Sequence, residues 1–481
     1  MGSDPQFAKY PDLKLAQHIF SLTTSSGTPQ PTSLNYLQNA IREHKMAPLY
    51  RHLAHPTEGV LNSVGESTAQ SAATPKPPTR RASLVSSNLI PLKRLVPPGV
   101  LPWDEVLYEQ LKADNDKELE GFQKEEEEAE EKAGETEVQA ARSKRADFWA
   151  RVGDKDKAIA AYEKVFDKTG PLGTKIDLVL AIIRIGLFFN DKLFVKKQVE
   201  RANILVESGG DWDRRNRLKA YKGLHLLTVR SYNLAAPLLL DSLSTFTSYE
   251  LCSYSALVTY AVLAGSLSLK RVDFKAKVVD APEIKAILGD GEDKGPGADE
   301  EMKDVSAATA ERATGLVNLS TLGTGSATEA QDEVPVDMSP LAGLVNSLYA
   351  GNYRNFFLSL AAVEENFLTQ DRYLFEHRAW FVREMRLRGY QQLLQSYRVV
   401  GLATMASAFG VSVDFLDKDL AKFIAAGRVS CTIDRVQGVI ETTRPDDKNK
   451  QYADIVKQGD ALITKLQKYG QAVRLRGSER A

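Results

Sequence analysis

Histidine and cysteine are the residues from which metal sites and nucleophilic active sites are often built. This chain contains six histidines and two cysteines. His52 and His55 are spaced to share a metal ion, but Glu58 is the only carboxylate close to them. Cys252 and Cys431 lie far apart and outside any C-x-x-C motif, which favours two small buried side chains. The sequence therefore predicts no metal, no cofactor and no catalytic residue.

Nucleotide-binding and metalloprotease signatures are also missing from the sequence. There is no G-x-x-x-x-G-K-[ST] loop to hold phosphates, no G-x-G-x-x-G turn after a strand and no H-E-x-x-H helix. The spacing of serine, histidine and aspartate residues does not group them into a catalytic triad. We therefore predict that this protein is not an enzyme.

The densest basic cluster consists of Arg214, Arg215, Arg217 and Lys219. Asp211 or Asp213 can cap the helix that follows, so the cations lie in its first turns, where the helix dipole is unfavourable to them. Acidic partners can offset this cost. Two interpretations stay open: salt bridges to a neighbouring helical hairpin of the same chain, or docking of an acidic partner surface.

The last 80 or so residues predict a winged helix, which is a helix-turn-helix followed by a two-stranded wing. The predicted elements are helices Ala403–Phe409 and Val413–Ala426, a C-cap at Gly427, and strands Val429–Ile433 and Val439–Thr442 joined by Arg435–Gly438. In DNA-binding proteins the second helix of this unit enters the major groove. Here that helix carries three aspartates and two lysines, which disfavours binding to phosphates, although Arg428, Arg435 and Arg444 add positive charge around the wing.

Protein packing is therefore the favoured role of the winged helix, and nucleic-acid binding is the less favoured alternative. An exposed wing strand can pair with the edge of another chain through backbone hydrogen bonds. The residues predicted to bind a partner there are Val429, Cys431, Ile433, Val439 and Ile440.

A final helix is predicted over Gln451–Gln467, because apolar residues recur on one stripe. The stripe residues predicted to bind a partner are Tyr452, Ile455, Leu462 and Leu466. Such a helix can fold back on its own domain or enter a helical bundle with partner chains, and the pattern does not decide between them.

The elements before the winged helix are predicted to be repeated helical hairpins. Small polar turns open helices at Asp154, Asp191 and Ser231, which are separated by 37 and 40 residues, and a weaker fourth copy begins at Gly351. Steps of this length are typical of tetratricopeptide-like repeats, whose hairpins bury their apolar faces by stacking. Between the first helices and these repeats, Leu107–Arg142 predicts one long acidic helix with a thin apolar stripe. A solvated face is the favoured interpretation of its charges, and an acidic recognition face is the alternative.

Composition sets the limits of these predictions. The 481 residues are 43% hydrophobic and carry a net charge of −1, which excludes a generally basic nucleic-acid coat protein. Two cysteines allow no disulfide framework and indicate an intracellular protein. The apolar run Leu251–Leu269 contains enough serine and threonine to favour a buried helix over a membrane span, and Met1–Ser25 lacks the pattern of a signal peptide.

The predicted fold is mostly α, a TPR-like helical-hairpin solenoid followed by a winged-helix module and a C-terminal helix. The predicted divisions are an N-terminal helical segment (1–56), a disordered insertion rich in Pro, Ser and Thr (57–102), the acidic helix (103–145), TPR-like repeats (146–288), a flexible insertion (289–338), a further helical part (339–400), the winged helix (401–445) and the C-terminal helix with its tail (446–481).

Helical hairpins that run into a winged helix have the architecture of PCI domains, and several long strings resemble one PCI family. They include PDLKLAQ (11–17), RIGLF (184–188), GGDWDRRNRLK (209–219), STFTSYEL (244–251), VREMR (382–386), AFGVSV (408–413), FIAAGR (423–428) and IETTRPD (440–446). These strings are similar to the non-ATPase lid subunits of the 26S proteasome regulatory particle, in the family usually numbered seven. The insertions at 57–98 and 289–338 depart from that family.

The resemblance implies a non-catalytic scaffold in the cytoplasm and nucleus. Its partners would be other lid subunits, contacted through PCI winged helices and a C-terminal helix bundle, and the proteasome ATPase base, with no membrane and no nucleic acid. The corresponding PCI subunit of the COP9 signalosome is the alternative within the same architecture.

Overall fold

The computed structural model describes residues 9–24, 31–56, 59, 61, 101–132, 134–289, 337–442 and 447–478. Most of the predicted insertions 57–102 and 289–338, and Arg444 beside the wing, lie outside these ranges. The chain divides into two compact units, Met1–Tyr349 with Ala361–Ala379 and Ala350–Leu360 with Trp380–Ala481. Among the described helices, none is long and apolar enough to cross a membrane.

The first unit is built from helices. They are α1 (Leu13–Thr24), α2 (Pro31–Glu43), α3 (Ala47–Ala54), α4 (Glu105–Lys132), α5 (Glu135–Val152), α6 (Lys155–Lys168), α7 (Leu172–Phe188), α8 (Lys192–Glu207), α9 (Trp212–Thr228), α10 (Tyr232–Ser242), α11 (Tyr254–Ser268), α12 (Arg271–Phe274), α13 (Pro282–Leu288) and α14 (Ser339–Ala350). Short π-helical turns at Lys275–Val279 and Glu364–Leu368, and 3-10 turns at Leu243–Thr245 and Phe375–His377, complete it.

The three predicted repeat starts are confirmed as the N-caps of α6, α8 and α10. In each turn the preceding residue is left-handed, with φ of 85° at Gly153, 55° at Asn190 and 65° at Arg230. The cap residue's amide then donates to the carbonyl five residues earlier, as from Asp191 to Gly186 at 2.9 Å. This Schellman geometry closes one helix and starts the next within two residues, so the hairpins form in series.

The weaker fourth copy has a similar turn. Gly351 has a φ of 83°, and the side chain of Asn352 accepts a hydrogen bond from the amide of Asn355 at 3.4 Å. The predicted start is therefore confirmed in front of α15 (Tyr353–Val363).

The prediction of one long acidic helix is wrong. Helix α4 ends at Lys132, Gly134 adopts an extended conformation, and α5 packs back against α4 as a hairpin. Opposite charges line the contact: Glu126 accepts hydrogen bonds from Arg142 at 2.8 Å and Arg145 at 3.0 Å. Part of the acidic run is therefore neutralised by the next helix, and the exposed side chains of Glu127 and Glu128 agree with the favoured interpretation of a largely solvated face.

The turn before α8 predicts a dependence of stability on pH. Burial acts to raise the pKa of Asp191, but hydrogen bonds from Lys155 and from the amide of Phe194 outweigh it and hold the pKa below its ordinary value. A carboxylate with a lowered pKa stabilises the fold above the unfolded value near 4, and this stabilisation is lost as pH falls through the folded pKa.

We expect Asp191→Asn to lower the free energy of unfolding by about 1 kcal/mol at pH 7, because the amide still caps the helix but the ion pair is lost. The difference from wild type should shrink below about pH 4. Urea unfolding between pH 3 and 7 measures both effects, and Asp156→Asn on the exposed first turn of α6 is the control. A difference that stays constant over this range would contradict the assignment.

Residues 370–377 form hydrogen bonds to several helices of the first unit. The Arg372 guanidinium donates to the carbonyls of Leu187 at 2.7 Å and Phe188 at 2.6 Å, which lie at the end of α7. Gln17 of α1 donates to the carbonyl of Gln370 at 2.6 Å and accepts from the amide of Arg372 at 3.2 Å. A late stretch of the chain therefore holds the first helix and the middle of the repeats.

The second unit combines helices with a small sheet. After α15 come α16 (Arg378–Ser396), β1 (Val399–Gly401), α17 (Leu402–Phe409), α18 (Val413–Ala425), β2 (Cys431–Asp434), β3 (Val439–Thr442) and α19 (Asp447–Ser478). The strands are antiparallel in the order β1-β3-β2. The winged helix is therefore confirmed, with a third strand that was not predicted, because residues up to 400 were expected to be helical.

Aromatic side chains centre the core of the winged helix. Phe409 stacks on Tyr353 with ring centroids 4.7 Å apart and meets Tyr390 edge to face at 4.9 Å. Leu416 and Leu420 of α18 are fully buried against this cluster. Gly427, at a φ of 65°, ends α18 as predicted and turns the chain towards β2.

Candidate protein-interaction site

Two members of the basic cluster lie inside the repeats. Arg214 and Arg217 each have side chains 3% exposed, and both contact Asp177 of α7. Arg214 forms a two-pronged pair, Nε to Oδ1 at 3.1 Å and Nη2 to Oδ2 at 2.7 Å, which raises the pKa of its guanidinium. Side chains enclosed in this way support the interpretation as salt bridges between hairpins, and a docking role for these two residues is wrong.

The same buried network continues to the loop after α10. Arg217 donates from Nη2 to Glu250 at 2.9 Å, and the Tyr221 hydroxyl donates to the same carboxylate oxygen at 2.9 Å. Burial raises the pKa of the Tyr221 hydroxyl, so it stays a donor at neutral pH. Outside this network, Arg215 is exposed and donates to the Gly210 carbonyl, and Lys219 is half-buried.

Three of the predicted wing residues are also interior. Val429, Cys431 and Ile440 belong to the core of the winged helix, and Ile440 is completely buried. Burial raises the pKa of the Cys431 thiol, as expected of a packed core residue. The prediction that these side chains contact a partner is corrected, because all three pack in the core with residues of α17 and α18. Ile433 and Val439 are half-buried.

The backbone of β2 is the part of the wing that a partner can reach. Strand β3 is central, with β1 on one side and β2 on the other, so it has no free edge. Thr432 and Asp434 lie opposite Glu441 and Val439, and antiparallel alternation turns the amides of Cys431 and Ile433 outwards. Within the described chain no strand pairs with this outer side of β2, which we call the wing edge.

Helix α18 presents a surface poorly suited to nucleic acid. Asp417 pairs with Arg435 of the wing at 2.8 Å, which engages one of the few cations near this helix. Asp419 is buried and accepts a hydrogen bond from the Tyr390 hydroxyl at 3.3 Å. Exposed Val413, Asp414 and Phe415 remain at the start of the helix and offer no positive charge to a phosphate backbone.

Helix α19 is longer than predicted, and its apolar face is uncovered. The predicted residues Tyr452, Ile455, Leu462 and Leu466 lie on this face. The face as a whole, which we call the C-terminal apolar face, consists of Tyr452, Ile455, Val456, Leu462, Ile463, Leu466, Tyr469 and Val473, each 53–76% exposed. Folding back on the same chain is therefore the wrong alternative for the described residues.

Sequence reasoning missed the end of this face. Tyr469 and Val473 were excluded because the helix was predicted to stop at Gln467, although Ile455, Leu462, Tyr469 and Leu466, Val473 continue a seven-residue step. That step is the signal that could have found them. It is also the spacing of a helix that packs along another helix.

His52 and His55, the pair with metal-ligand spacing, have aromatic and apolar surroundings in the described part of the chain. His52 is half-buried, and burial lowers its pKa. His55 packs edge to face against Trp103 with ring centroids 5.1 Å apart. Among the described residues no three His, Cys, Asp or Glu side chains are grouped to hold a metal ion.

Comparison with known proteins places these surfaces in a family. The sequence model described as "26S proteasome subunit RPN7" matches residues 104–277, the PCI domain model matches 355–444, and the "26S proteasome regulatory subunit RPN7/PSMD6 C-terminal helix" model matches 451–473. The chain is 39% identical over 483 residues to the "26S proteasome regulatory subunit RPN7" of Saccharomyces cerevisiae, covering 99% of this chain and 96% of that protein. The chain belongs to the RPN7 family.

Other RPN7-family proteins match over similar lengths. The Schizosaccharomyces pombe "26S proteasome regulatory subunit rpn7" is 36% identical, with 97% of both chains covered. The match to "COP9 signalosome complex subunit 1" of Arabidopsis thaliana is weaker, at 22% identity over 59% of this chain and 53% of that protein. The family resemblance drawn from the sequence strings is therefore confirmed, and the signalosome relative is distant.

The RPN7-family matches coincide with the two candidate surfaces. The PCI match runs from α15 to the end of β3 and includes the wing edge. The C-terminal helix match, 451–473, begins and ends within one residue of the ends of the C-terminal apolar face. Both surfaces are thus parts of the chain that relatives share.

Proposed function

We propose that this RPN7-family protein is a non-catalytic scaffold subunit of the 26S proteasome regulatory-particle lid. The observation that carries the proposal is the C-terminal apolar face, because eight large apolar side chains exposed on one helix need a partner to cover them. The relatives are named as regulatory subunits of the 26S proteasome, which indicates the complex to which the partner belongs. The seven-residue spacing favours helices as the partner elements.

Two surfaces carry the proposed assembly. The C-terminal apolar face enters a helix bundle with other lid subunits, and the wing edge extends the sheet of a neighbouring PCI winged helix. Contact with the ATPase base, residence in cytoplasm and nucleus, and the lack of an enzymatic activity belong to the same proposal. In this proposal the buried ion network around Asp177 has a structural role, because it joins neighbouring helices of the repeats.

Affinity purification tests this function. An affinity tag is placed in the segment 62–98, so that the C-terminal helix stays unmodified, and the protein is purified from its own cells at low salt with ATP. We expect lid, base and core subunits by mass spectrometry, together with ATP-stimulated peptidase activity. Recovery of signalosome subunits would mean that the protein belongs to the COP9 signalosome instead of the proteasome lid. A protein purified alone or with nucleic acid would contradict the proposal.

The wing edge has its own test. We expect Ile433→Pro to weaken co-purification with the neighbouring subunit about tenfold, because proline removes an outward-facing amide. Proline is tolerated on edge strands when the lost amide faces away from the sheet. Ile433→Ala is the matched control, since it loses the same side-chain packing but keeps the amide. Equal co-purification of the two variants would mean that the edge forms no such hydrogen bond.

A further inference from the structure

The C-terminal apolar face is interrupted near its middle by a glycine. A Cβ at Gly459 would meet nothing within 4 Å, and its backbone is not among the positive-φ residues. The conformation of the helix therefore does not require glycine here. A glycine inside a helix destabilises it by about 1 kcal/mol relative to alanine, so its place on this face needs another reason.

Large apolar side chains flank this position one turn before it and one turn after it. Residues three and four positions away lie next to each other on a helix surface. Around Gly459 these neighbours are Ile455, Val456, Leu462 and Ile463. All four are more than half exposed, so they form the rim of an open depression whose floor is the helix backbone. A recess with four walls is the complement of one large side chain projecting from another helix.

Charge and register argue against a second copy packed in parallel as the occupant of this depression. Beyond Asp460, the described side chains of α19 include Lys465, Lys468 and Arg474 and no carboxylate. A second copy packed in parallel register would bring these cations together and would place Gly459 opposite Gly459, which leaves the depression empty. A helix of a different chain, with carboxylates beside this half of α19, has neither problem.

We propose that the depression at Gly459 receives one large apolar side chain from a helix of another subunit, and that this helix carries carboxylates facing Lys465 and Lys468. The inference rests on the proposed function, because it names the partner chemistry of the same face. The depression fixes the register of the pairing, since a shift of one helical turn would push the inserted side chain against Leu462 or Ile455.

Gly459→Leu in the full-length chain tests the proposal, with Gly121→Leu on α4 as the matched control at another open helical glycine. Each tagged variant is co-expressed with untagged wild-type chain, and the fraction incorporated into purified regulatory particle is measured. We expect incorporation of Gly459→Leu to fall at least tenfold, Gly459→Ala to fall less, and Gly121→Leu to match wild type. Because leucine is the better helix former, circular dichroism of the free variant should show no loss of helix.

Equal or higher incorporation of Gly459→Leu would overturn the proposal, because added apolar surface would then be accommodated without a recess. Dimerisation of the free wild-type chain that Gly459→Leu abolishes would also overturn it, by making a second copy the occupant. The double variant Leu462→Asp with Leu466→Asp separates this result from the proposed function. If that variant also incorporates normally, the whole face is unused, and the function itself fails.

Discussion

Aspartate at both Leu462 and Leu466 is expected to prevent incorporation into the regulatory particle while leaving the stability of the free chain almost unchanged. Burying each leucine contributes about 1.5–3 kcal/mol, so the pair accounts for a decrease of at least about 100-fold in affinity. Two buried carboxylates without partners would weaken binding further. In the free chain both side chains are more than 60% exposed, so the free energy of unfolding should change by less than about 0.5 kcal/mol.

The measurement is the yield of tagged subunit in purified regulatory particle, beside urea unfolding of the free chain. Thr464→Asp with Gln471→Asp is the matched control, because it adds the same two charges on the opposite side of α19. Retention of the Leu462 and Leu466 variant at wild-type yield would contradict a role for the C-terminal apolar face. Equal loss in the control would assign the effect to net charge instead.

Removing the Asp177 carboxylate should produce the largest loss of stability in the repeats. Asp177→Ala leaves Arg214 with only the exposed Asp211 and Arg217 with only Glu250, and breaking a buried ion pair from one side costs up to about 3–5 kcal/mol. Glu163→Ala is the comparison, because its pair with Arg201 is about one-third exposed and should contribute at most about 1 kcal/mol. Hydrogen exchange of α7 and α9, together with urea unfolding, measures the effect where it arises.

Salt provides an independent check on this network. Pairs enclosed by protein are screened less than exposed ones, so raising sodium chloride from 0.1 to 1 M should leave the Asp177→Ala difference nearly constant. The smaller Glu163→Ala difference should decrease over the same range. A loss below about 1 kcal/mol for Asp177→Ala would mean that water reaches the guanidinium groups of Arg214 and Arg217.

The turns of the repeats could be predicted from sequence because their chemistry is local. A cap residue such as Asp191 and the left-handed residue before it act within one helical turn, and the same pair recurs after about 40 residues. The third strand of the winged helix could not be predicted in this way. Val399–Gly401 is a strand because Val400 pairs with Ile440, forty residues later, and no local pattern distinguishes it from the end of α16.

The interaction surfaces also differ in whether local sequence or distant residues determine them. The apolar period of α19 predicts which side chains share its apolar face, because that spacing is local to the helix, whereas the exposure of the face had to come from the structure. The wing was predicted less well, since alternation along β2 does not tell which side faces the protein interior. Likewise, Arg214 and Arg217 could not be assigned from their neighbours, because the carboxylate that binds both lies 37 and 40 residues earlier in the chain.

The contacts of Arg372 have a consequence for synthesis on the ribosome. The guanidinium of Arg372 is synthesised 185 residues after the carbonyl of Leu187 that it binds. The carbonyl of Gln370 follows its partner Gln17 by 353 residues. At about 5–20 residues per second, the first of these intervals lasts roughly 10–40 s. During that time the nascent repeats expose the end of α7, and the earliest helix of the chain is among the last to reach its final surroundings.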